Sequence, residues 1–211
     1  MIFKNRIQAG KMLSEKLKSH ENSPNAIVLG LPRGGVVVAF EVAKELNLPL
    51  DIIVTRKISD PINPEFAIGA VTPKTSFVNV QYDNPTYAQY LEQEIPRLQT
   101  LLKEKAKKYR AGKDEPTITG KTIVIVDDGV ATGQTLLAAV RAIKGQRPRK
   151  VIIATPVISP EVKKMLESEA DEVISVITPE YLGAIGEFYQ DFSPVDDEKA
   201  IALLQTTGKS S

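Results

Sequence analysis

Short runs of apolar, largely β-branched residues alternate in this chain with segments whose apolar residues recur at helical spacing. Apolar side chains at successive positions are typical of strands that a sheet buries on both faces. The alternation therefore predicts right-handed β-α-β crossovers and an α/β fold, with a doubly wound, mostly parallel sheet flanked by helices. The predicted strands are residues 26–31, 51–56, 122–127, 150–155 and 172–177, and the predicted helices between them are residues 35–47, 133–145 and 159–169.

Four further segments fall outside this alternation. Apolar markers at Ile7, Leu13 and Leu17 predict an amphipathic helix near the start of the chain, and acidic residues suited to a helix dipole predict another near its end. A long polar helix is predicted to carry one apolar stripe and to end in a basic run on a solvated face. The segments are residues 4–19, 195–204 and 85–110, and a β-hairpin of residues 66–71 and 76–80 that turns at Thr72-Pro73-Lys74.

The motif that carries chemistry is TIVIVDDGVATGQTL, residues 122–136, in which a predicted strand ends in Asp127 and Asp128. Ligands of parallel α/β sheets bind beyond the carboxyl ends of the strands, and a helix N-terminus offers unpaired N–H groups to a phosphate. Two adjacent carboxylates repel a bare anion, and they favour a ligand that presents hydroxyls or a metal on that side. A sugar diol fits, because each carboxylate can accept a hydrogen bond from one of its hydroxyls. The motif thus predicts a ribose phosphate ligand. Its predicted phosphate contacts are Gly129, Val130, Ala131, Thr132, Gly133, Gln134 and Thr135.

Two more segments are predicted to reach the same sheet edge. LGLPRGG, residues 29–35, follows the first strand, where Gly34 and Gly35 allow close backbone approach and Arg33 offers a forked cation for phosphate oxygens. Its alternative is an ordinary helix start. Arg56 and Lys57 end the next predicted strand and would add two cations, with plain surface cations as the alternative.

The composition restricts the kinds of site that the chain can carry. It has no cysteine and a single histidine, His20, which argues against disulfides, thiol catalysis and zinc sites. Its 27 basic and 26 acidic residues leave a net charge of +1, so we expect no nucleic-acid or membrane partner. No Walker or G-x-G-x-x-G motif is present. No apolar run reaches the length of a signal-peptide core or a membrane span, and we expect a cytoplasmic protein.

VIVDDGVATGQT resembles the 5-phosphoribosyl-1-pyrophosphate (PRPP) motif of type I phosphoribosyltransferases. The order and spacing of LPRGG, RKI, NPEFAIGAV, DDGVATG and AIGEFYQDFSPVDDE are similar to a group of predicted phosphoribosyltransferases without an agreed acceptor. The resemblance implies that family's fold, with a small hood lobe from the terminal segments. Together with the length, it favours one domain over residues 1–211, with an inserted long helix in residues 82–115 and a C-terminal hood and helix in residues 181–211.

The resemblance also implies an activity, which is Mg²⁺-dependent transfer of phosphoribose from PRPP to a nitrogenous base with release of pyrophosphate. Asp127 and Asp128 would hold the ribose diol and, with Arg33, be catalytic. No protein ligand is assigned to Mg²⁺, which PRPP and waters would hold. The expected partners are PRPP, an unidentified base and a second copy in a homodimer. The predicted pyrophosphate contacts are Arg33, Gly34, Gly35, Arg56 and Lys57.

The residues of the chain leave the acceptor open. Ala131 stands where phosphoribosyltransferases for hypoxanthine and guanine commonly have Asp, which argues against a 6-oxopurine. The segment GEFYQDF nevertheless resembles the aromatic-plus-acid hood of those enzymes, and makes Phe188, Tyr189 and Asp191 candidate base contacts, with plain packing as the alternative. The alternative function is a non-catalytic regulator on the same fold that senses PRPP or a nucleotide.

Overall fold

The computed structural model describes residues 1–206 and contains eight strands and six α-helices in that range. In chain order they are α1 (Arg6–Lys16), β1 (Ala26–Gly30), α2 (Gly34–Leu46), β2 (Leu50–Ile52), β3 (Arg56–Ser59), β4 (Ala67–Val71), β5 (Ser76–Val78), α3 (Pro85–Arg110), β6 (Thr122–Val126), α4 (Gln134–Lys144), β7 (Lys150–Val157), α5 (Pro160–Glu167), β8 (Glu172–Ile177) and α6 (Asp197–Thr206). None of the helices in this range combines the length and apolar character needed to cross a bilayer.

Five of the strands form one parallel sheet in the order β2-β1-β6-β7-β8. Gly30 at the end of β1 pairs with Ile52 of β2 on one side and with Val126 of β6 on the other. Strand β2 lies on one side of β1, and β6, β7 and β8 follow one another on its other side. The order of the strands therefore reverses between β1 and β6. This sheet, with helices on both faces, confirms the predicted fold class.

Alternate side chains of each central strand pack into two hydrophobic cores, one on each face of the sheet. Ile123 and Ile153 pack with α4 and α5 on one face of the sheet. Val124 and Ile152 pack with α1 and α2 on the other face. Because both faces are covered, every position of β1 and β6 except Thr122 is buried, which is why these strands read as unbroken apolar runs.

The strand predicted at residues 51–56 is wrong in its second half. The parallel strand β2 ends at Ile52, and Arg56 instead begins β3, which pairs antiparallel with β4 in a separate sheet of order β3-β4-β5. The apolar run continues across this change because Val54 packs in the core beneath the second sheet. Continuous hydrophobicity does not distinguish one strand from two strands in different sheets.

The predicted hairpin and the predicted long helix are confirmed as β4–β5 and α3. In the first helix, however, Ile7 is wrong as a marker of the buried face. Ile7 is 46 % exposed, because α1 meets α2 through small residues instead. A Cβ added to Gly10 would lie 2.7 Å from the Cβ of Glu41 on α2. The apolar stripe of α3 packs against the second sheet and α6, through Leu91, Leu98 and Leu102.

The basic end of α3 is solvated only in part. Lys103, Lys105 and Lys107 are exposed, but Arg110 points inward and forms a buried ion pair with Asp51 of β2. Its Nε and Nη2 atoms each lie 2.9 Å from Asp51 Oδ2. Burial raises the pKa of Asp51, and the Arg110 guanidinium opposes that effect. This pair ties the long helix to the central sheet.

We therefore expect Arg110→Gln to lower the free energy of unfolding by about 3 kcal/mol, because it leaves the buried Asp51 carboxylate without its cation. Urea unfolding followed by circular dichroism measures the change. The matched control is Lys107→Gln, which removes an exposed cation from the same helix and should change stability by at most about 0.5 kcal/mol. Equal effects of the two substitutions would contradict a stabilising ion pair.

Candidate functional site

The loops that follow β1 and β6 meet at the point where the strand order reverses. Leu31 N–H donates to the Val126 carbonyl at 2.9 Å, so the two loops start side by side. A Cβ added to Gly35 would lie 2.9 Å from both the Cα and the Oδ1 of Asp127, and one added to Gly34 would overlap the Asp128 carboxylate. Only glycine allows this approach. The structure thus brings the predicted PRGG and DD segments together.

Burial and mutual repulsion both disfavour the ionised forms of the two carboxyl groups at this site. Both aspartates are half-buried, and Asp127 Oδ1 accepts the Asp128 backbone N–H at 2.9 Å. Burial and the neighbouring charge of Asp128 raise the pKa of Asp127 well above its usual range, although the Asp128 N–H and Arg6 act in the opposite direction. A pair that resists full ionisation is suited to a ligand that supplies hydroxyl donors or positive charge.

Sequence reasoning missed Arg6, the cation that contacts this acid pair. Its Nε donates to Asp128 Oδ2 at 2.6 Å, and its Nη1 donates to the Ser193 carbonyl at 2.8 Å. The guanidinium lies over the Phe192 ring, 3.8 Å from the ring centroid. Arg6 and Asp128 are 122 residues apart, and a lone arginine at the start of a predicted helix gives no signal of such a contact.

The C-terminal residues predicted as candidate base contacts lie beside the same loop. The Tyr189 hydroxyl donates to the Asp128 carbonyl at 2.6 Å, and its ring packs between Phe3 and Phe192. Tyr189 is 6 % exposed, which favours the packing alternative for this residue. Phe188 is partly buried and its carbonyl accepts the Phe3 N–H, whereas Asp191 is exposed and its carboxylate accepts the Ser193 N–H.

The two helices that begin at these loops differ from α1, α3 and α5 at their N-termini. The first turns of α1, α3 and α5 are capped by the side chains of Asn5, Asn84 and Ser159. Within residues 1–206, no side chain caps α2 or α4. Their first N–H groups are therefore left for another acceptor, which is the arrangement that binds anions.

The predicted phosphate loop is partly exposed at the start of α4. Gly133, the N-cap residue of α4, is buried and has φ +72°, whereas its chain neighbours Thr132 and Gln134 are exposed. Val130 departs from the prediction, because it is buried and its N–H donates to the Val157 carbonyl at 2.9 Å. Exposed members of the loop are Ala131, Thr132, Gln134 and Thr135.

Arg56 and Lys57 reach this region from the second sheet, not from the parallel sheet as predicted. Both line a cleft of about 590 Å³ whose opposite wall includes Gln134 and Thr135 of α4. Lys57 Nζ donates to the carbonyls of Pro64 and Glu65, at 3.1 and 3.3 Å, in the β3–β4 loop. Arg33 is exposed at the start of α2, after a cis Pro32–Arg33 peptide bond.

Comparison with known proteins gives consistent matches along the chain. The family profile described as "Phosphoribosyl transferase domain" matches residues 2–192. Two curated proteins of Mycobacterium tuberculosis strains, named "Putative phosphoribosyl transferase MT0597" and "Putative phosphoribosyl transferase Rv0571c", are each 37 % identical over 208 residues. The match covers 96 % of this chain and 46 % of theirs, so the chain spans about half the length of these relatives.

Solved structures show the same architecture. The crystal structure of TT1426 from Thermus thermophilus is 40 % identical, has a TM-score of 0.88 and is matched over 98 % of this chain and 99 % of that one. The AQ2163 protein from Aquifex aeolicus has a TM-score of 0.50 at 16 % identity, over 86 % of this chain and 76 % of that one, and is similar in fold alone. From the matched profile and these relatives, the chain belongs to the phosphoribosyl transferase domain family.

Proposed function

We propose that the protein transfers the 5-phosphoribosyl group of PRPP to a nitrogenous base and releases pyrophosphate. The observation that carries this proposal is the position of the acid pair Asp127–Asp128 beside two helix N-termini that no side chain of residues 1–206 caps. A phosphate at each helix and a diol between them are the features of PRPP. Family membership supports the same donor.

The 5′-phosphate would lie at the start of α4. The free N–H groups there and the positive end of the helix dipole favour an anion, and the exposed Thr132 and Thr135 add hydroxyl donors. Gly133 has φ +72°, a backbone conformation that favours glycine, and it turns the chain into the first turn of α4. The N–H of Val130 takes no part, because it is paired within the fold.

The pyrophosphate would lie at the start of α2. No side chain of residues 1–206 caps the first N–H groups of α2, at Gly34 and Gly35, and the exposed Arg33 supplies a forked cation that fits phosphate oxygens. Arg56 and Lys57 line the cleft that faces Gln134 and Thr135 of α4, and would reach the pyrophosphate from that side. Two N–H groups of the Lys57 ammonium are paired with loop carbonyls, which leaves the third for a substrate oxygen.

Mg²⁺ is the metal ion that this activity implies, and the oxygen donors around the acid pair fit it. Within residues 1–206, no group of three His, Cys, Asp or Glu side chains is placed to hold an ion. Mg²⁺ commonly keeps several waters and takes its other ligands from substrate phosphates. We therefore infer that it is carried by PRPP, and that it neutralises charge on the pyrophosphate when bound. Asp127 and Asp128 would hold the ribose hydroxyls beside it.

In the proposed reaction, the bond between C1′ and the pyrophosphate oxygen breaks as the acceptor nitrogen bonds to C1′. Positive charge develops on the ribose ring in the transition state, and the fixed carboxylates of Asp127 and Asp128 stabilise it. Arg33 stabilises the negative charge that accumulates on the pyrophosphate. The bond electrons leave with pyrophosphate, and the acceptor supplies the new pair.

We expect pyrophosphate release from PRPP and Mg²⁺ to depend on one of a panel of purine, pyrimidine and other nitrogenous bases. Release measured with a coupled pyrophosphate assay tests this directly. The double substitution Asp127→Asn and Asp128→Asn should lower the rate by roughly 100-fold or more, because the amides cannot stabilise the developing charge.

Three other results would contradict transfer. PRPP binding without turnover on any base would indicate the sensing regulator. Pyrophosphate release that needs no base would indicate hydrolysis. Unaltered turnover by the double variant, with its melting temperature close to that of the original chain, would remove the acid pair from the mechanism.

The raised pKa of Asp127 predicts a pH dependence of PRPP affinity. The ionised carboxylate is the form that accepts ribose hydroxyls, so affinity should be present above this pKa and lost as the pH falls through it. Because burial and Asp128 raise the pKa, the loss should begin at a higher pH than for an ordinary aspartate. Titration of PRPP binding from about pH 8 down to pH 5 measures it.

The matched control for this titration is Asp127→Asn, since it shares the protonation of the substrate phosphates but lacks the carboxyl group. The difference between the two profiles therefore reports Asp127. Identical profiles would show that Asp127 does not titrate in the binding step.

A further inference from the structure

Asp128 is held by a residue that neither the sequence motif nor the family comparison singles out. Arg6, the first residue of α1, forms an ion pair with it whose side chains are only 11 % and 16 % exposed. The guanidinium has three fixed contacts, which are Asp128 Oδ2, the Ser193 carbonyl and the face of the Phe192 ring. Three partners hold the guanidinium in one orientation, which solvent does not do for a cation in an exposed surface pair.

The backbone that presents Arg6 is fixed as well. Phe3 is fully buried, its N–H donates to the Phe188 carbonyl and its own carbonyl accepts the Gln190 N–H, each at 2.8 Å. Asn5 caps the first turn of α1 by accepting the Gln8 N–H. The backbone is therefore held before Arg6 by the hydrogen bonds of Phe3, and after Arg6 by the bond from Gln8 to Asn5.

The acid pair needs such a restraint. Asp127 and Asp128 are adjacent carboxyl groups, and their charges repel each other when both are ionised. The Arg6 ion pair balances the charge of Asp128 and holds its Oδ2 atom in one orientation. Gly34 leaves room for both partners, since a Cβ there would lie 2.9 Å from Arg6 Nε and would overlap Asp128 Oδ2.

We propose that Arg6 is a positioning residue for phosphoribosyl transfer, which fixes the Asp128 carboxylate so that Oδ1 accepts a ribose hydroxyl. This inference rests on the proposed function. It requires the shape of arginine as well as its charge, because Nε, Nη1 and the planar face each make a different contact. A lysine keeps the charge but cannot reproduce the planar fork.

The test is a double-mutant cycle on PRPP affinity, measured calorimetrically with Mg²⁺ on the full chain. We expect Arg6→Gln to weaken PRPP binding roughly tenfold in the original chain. In the Asp128→Asn background, the same substitution should change affinity by less than about twofold, since Arg6 acts through Asp128. A residue that only supports the fold would weaken binding equally in both backgrounds, and that result would overturn the proposal.

Arg6→Lys separates positioning from charge and replaces Arg6→Gln in the cycle if the glutamine variant does not fold. Arg6→Lys should restore less than half of the loss in log Kd that Arg6→Gln causes. Full restoration of the affinity would overturn the positioning role. The control is Lys150→Gln, which breaks an ion pair with Glu172 at the opposite edge of the sheet and should leave PRPP affinity unchanged. Failure of the original chain to bind PRPP would overturn the proposed function itself, whereas normal binding by Arg6→Gln would overturn only this inference.

Discussion

The close contact between two loops where the strand order reverses is the constraint on which the site depends. Because β1 and β6 are parallel neighbours, the segments that follow them leave the sheet side by side, and each runs into a helix. Gly34 and Gly35 then lie against Asp128 and Asp127 at separations that exclude any side chain. One packing contact thereby directs two helix N-termini and two carboxylates toward the same region. This combination suits a ligand with separate phosphates and a diol between them.

Burial and mutual repulsion disfavour two adjacent carboxylates, and residues from distant parts of the chain stabilise the acid pair. Arg6 comes from the first helix, and Tyr189 comes from the segment after the last strand. Their own positions are secured by Phe3, which bridges the two segments through backbone hydrogen bonds and packs against the Tyr189 ring. The segments near the two ends of the described chain thus converge on the Asp128 loop. The second sheet is tied in separately, through α3 and the Asp51–Arg110 pair.

The sequence was sufficient for features that depend on local pattern. Buried strands, the long α3 helix and the DDGVATG loop follow from apolar periodicity, turn residues and motif spacing, and they form near the predicted boundaries. Features that depend on long-range packing were not predicted. Nothing local reveals that Arg56 starts a strand in a second sheet, or that Arg110 turns inward to Asp51. The contact between Arg6 and Asp128 needs the fold itself, since it joins residues that are far apart in the chain.

The most direct test of the account is the melting temperature of the chain with PRPP, with and without Mg²⁺. Ligand at about a hundredfold over its dissociation constant adds roughly 2.7 kcal/mol to the free energy of unfolding, which for this length is a rise of roughly 5–11 °C. We expect a rise of this size that needs both PRPP and Mg²⁺, and a much smaller one with ribose 5-phosphate, which lacks the pyrophosphate. The absence of any rise with PRPP at saturating concentration would contradict the assignment of the loops after β1 and β6 as a phosphoribosyl donor site.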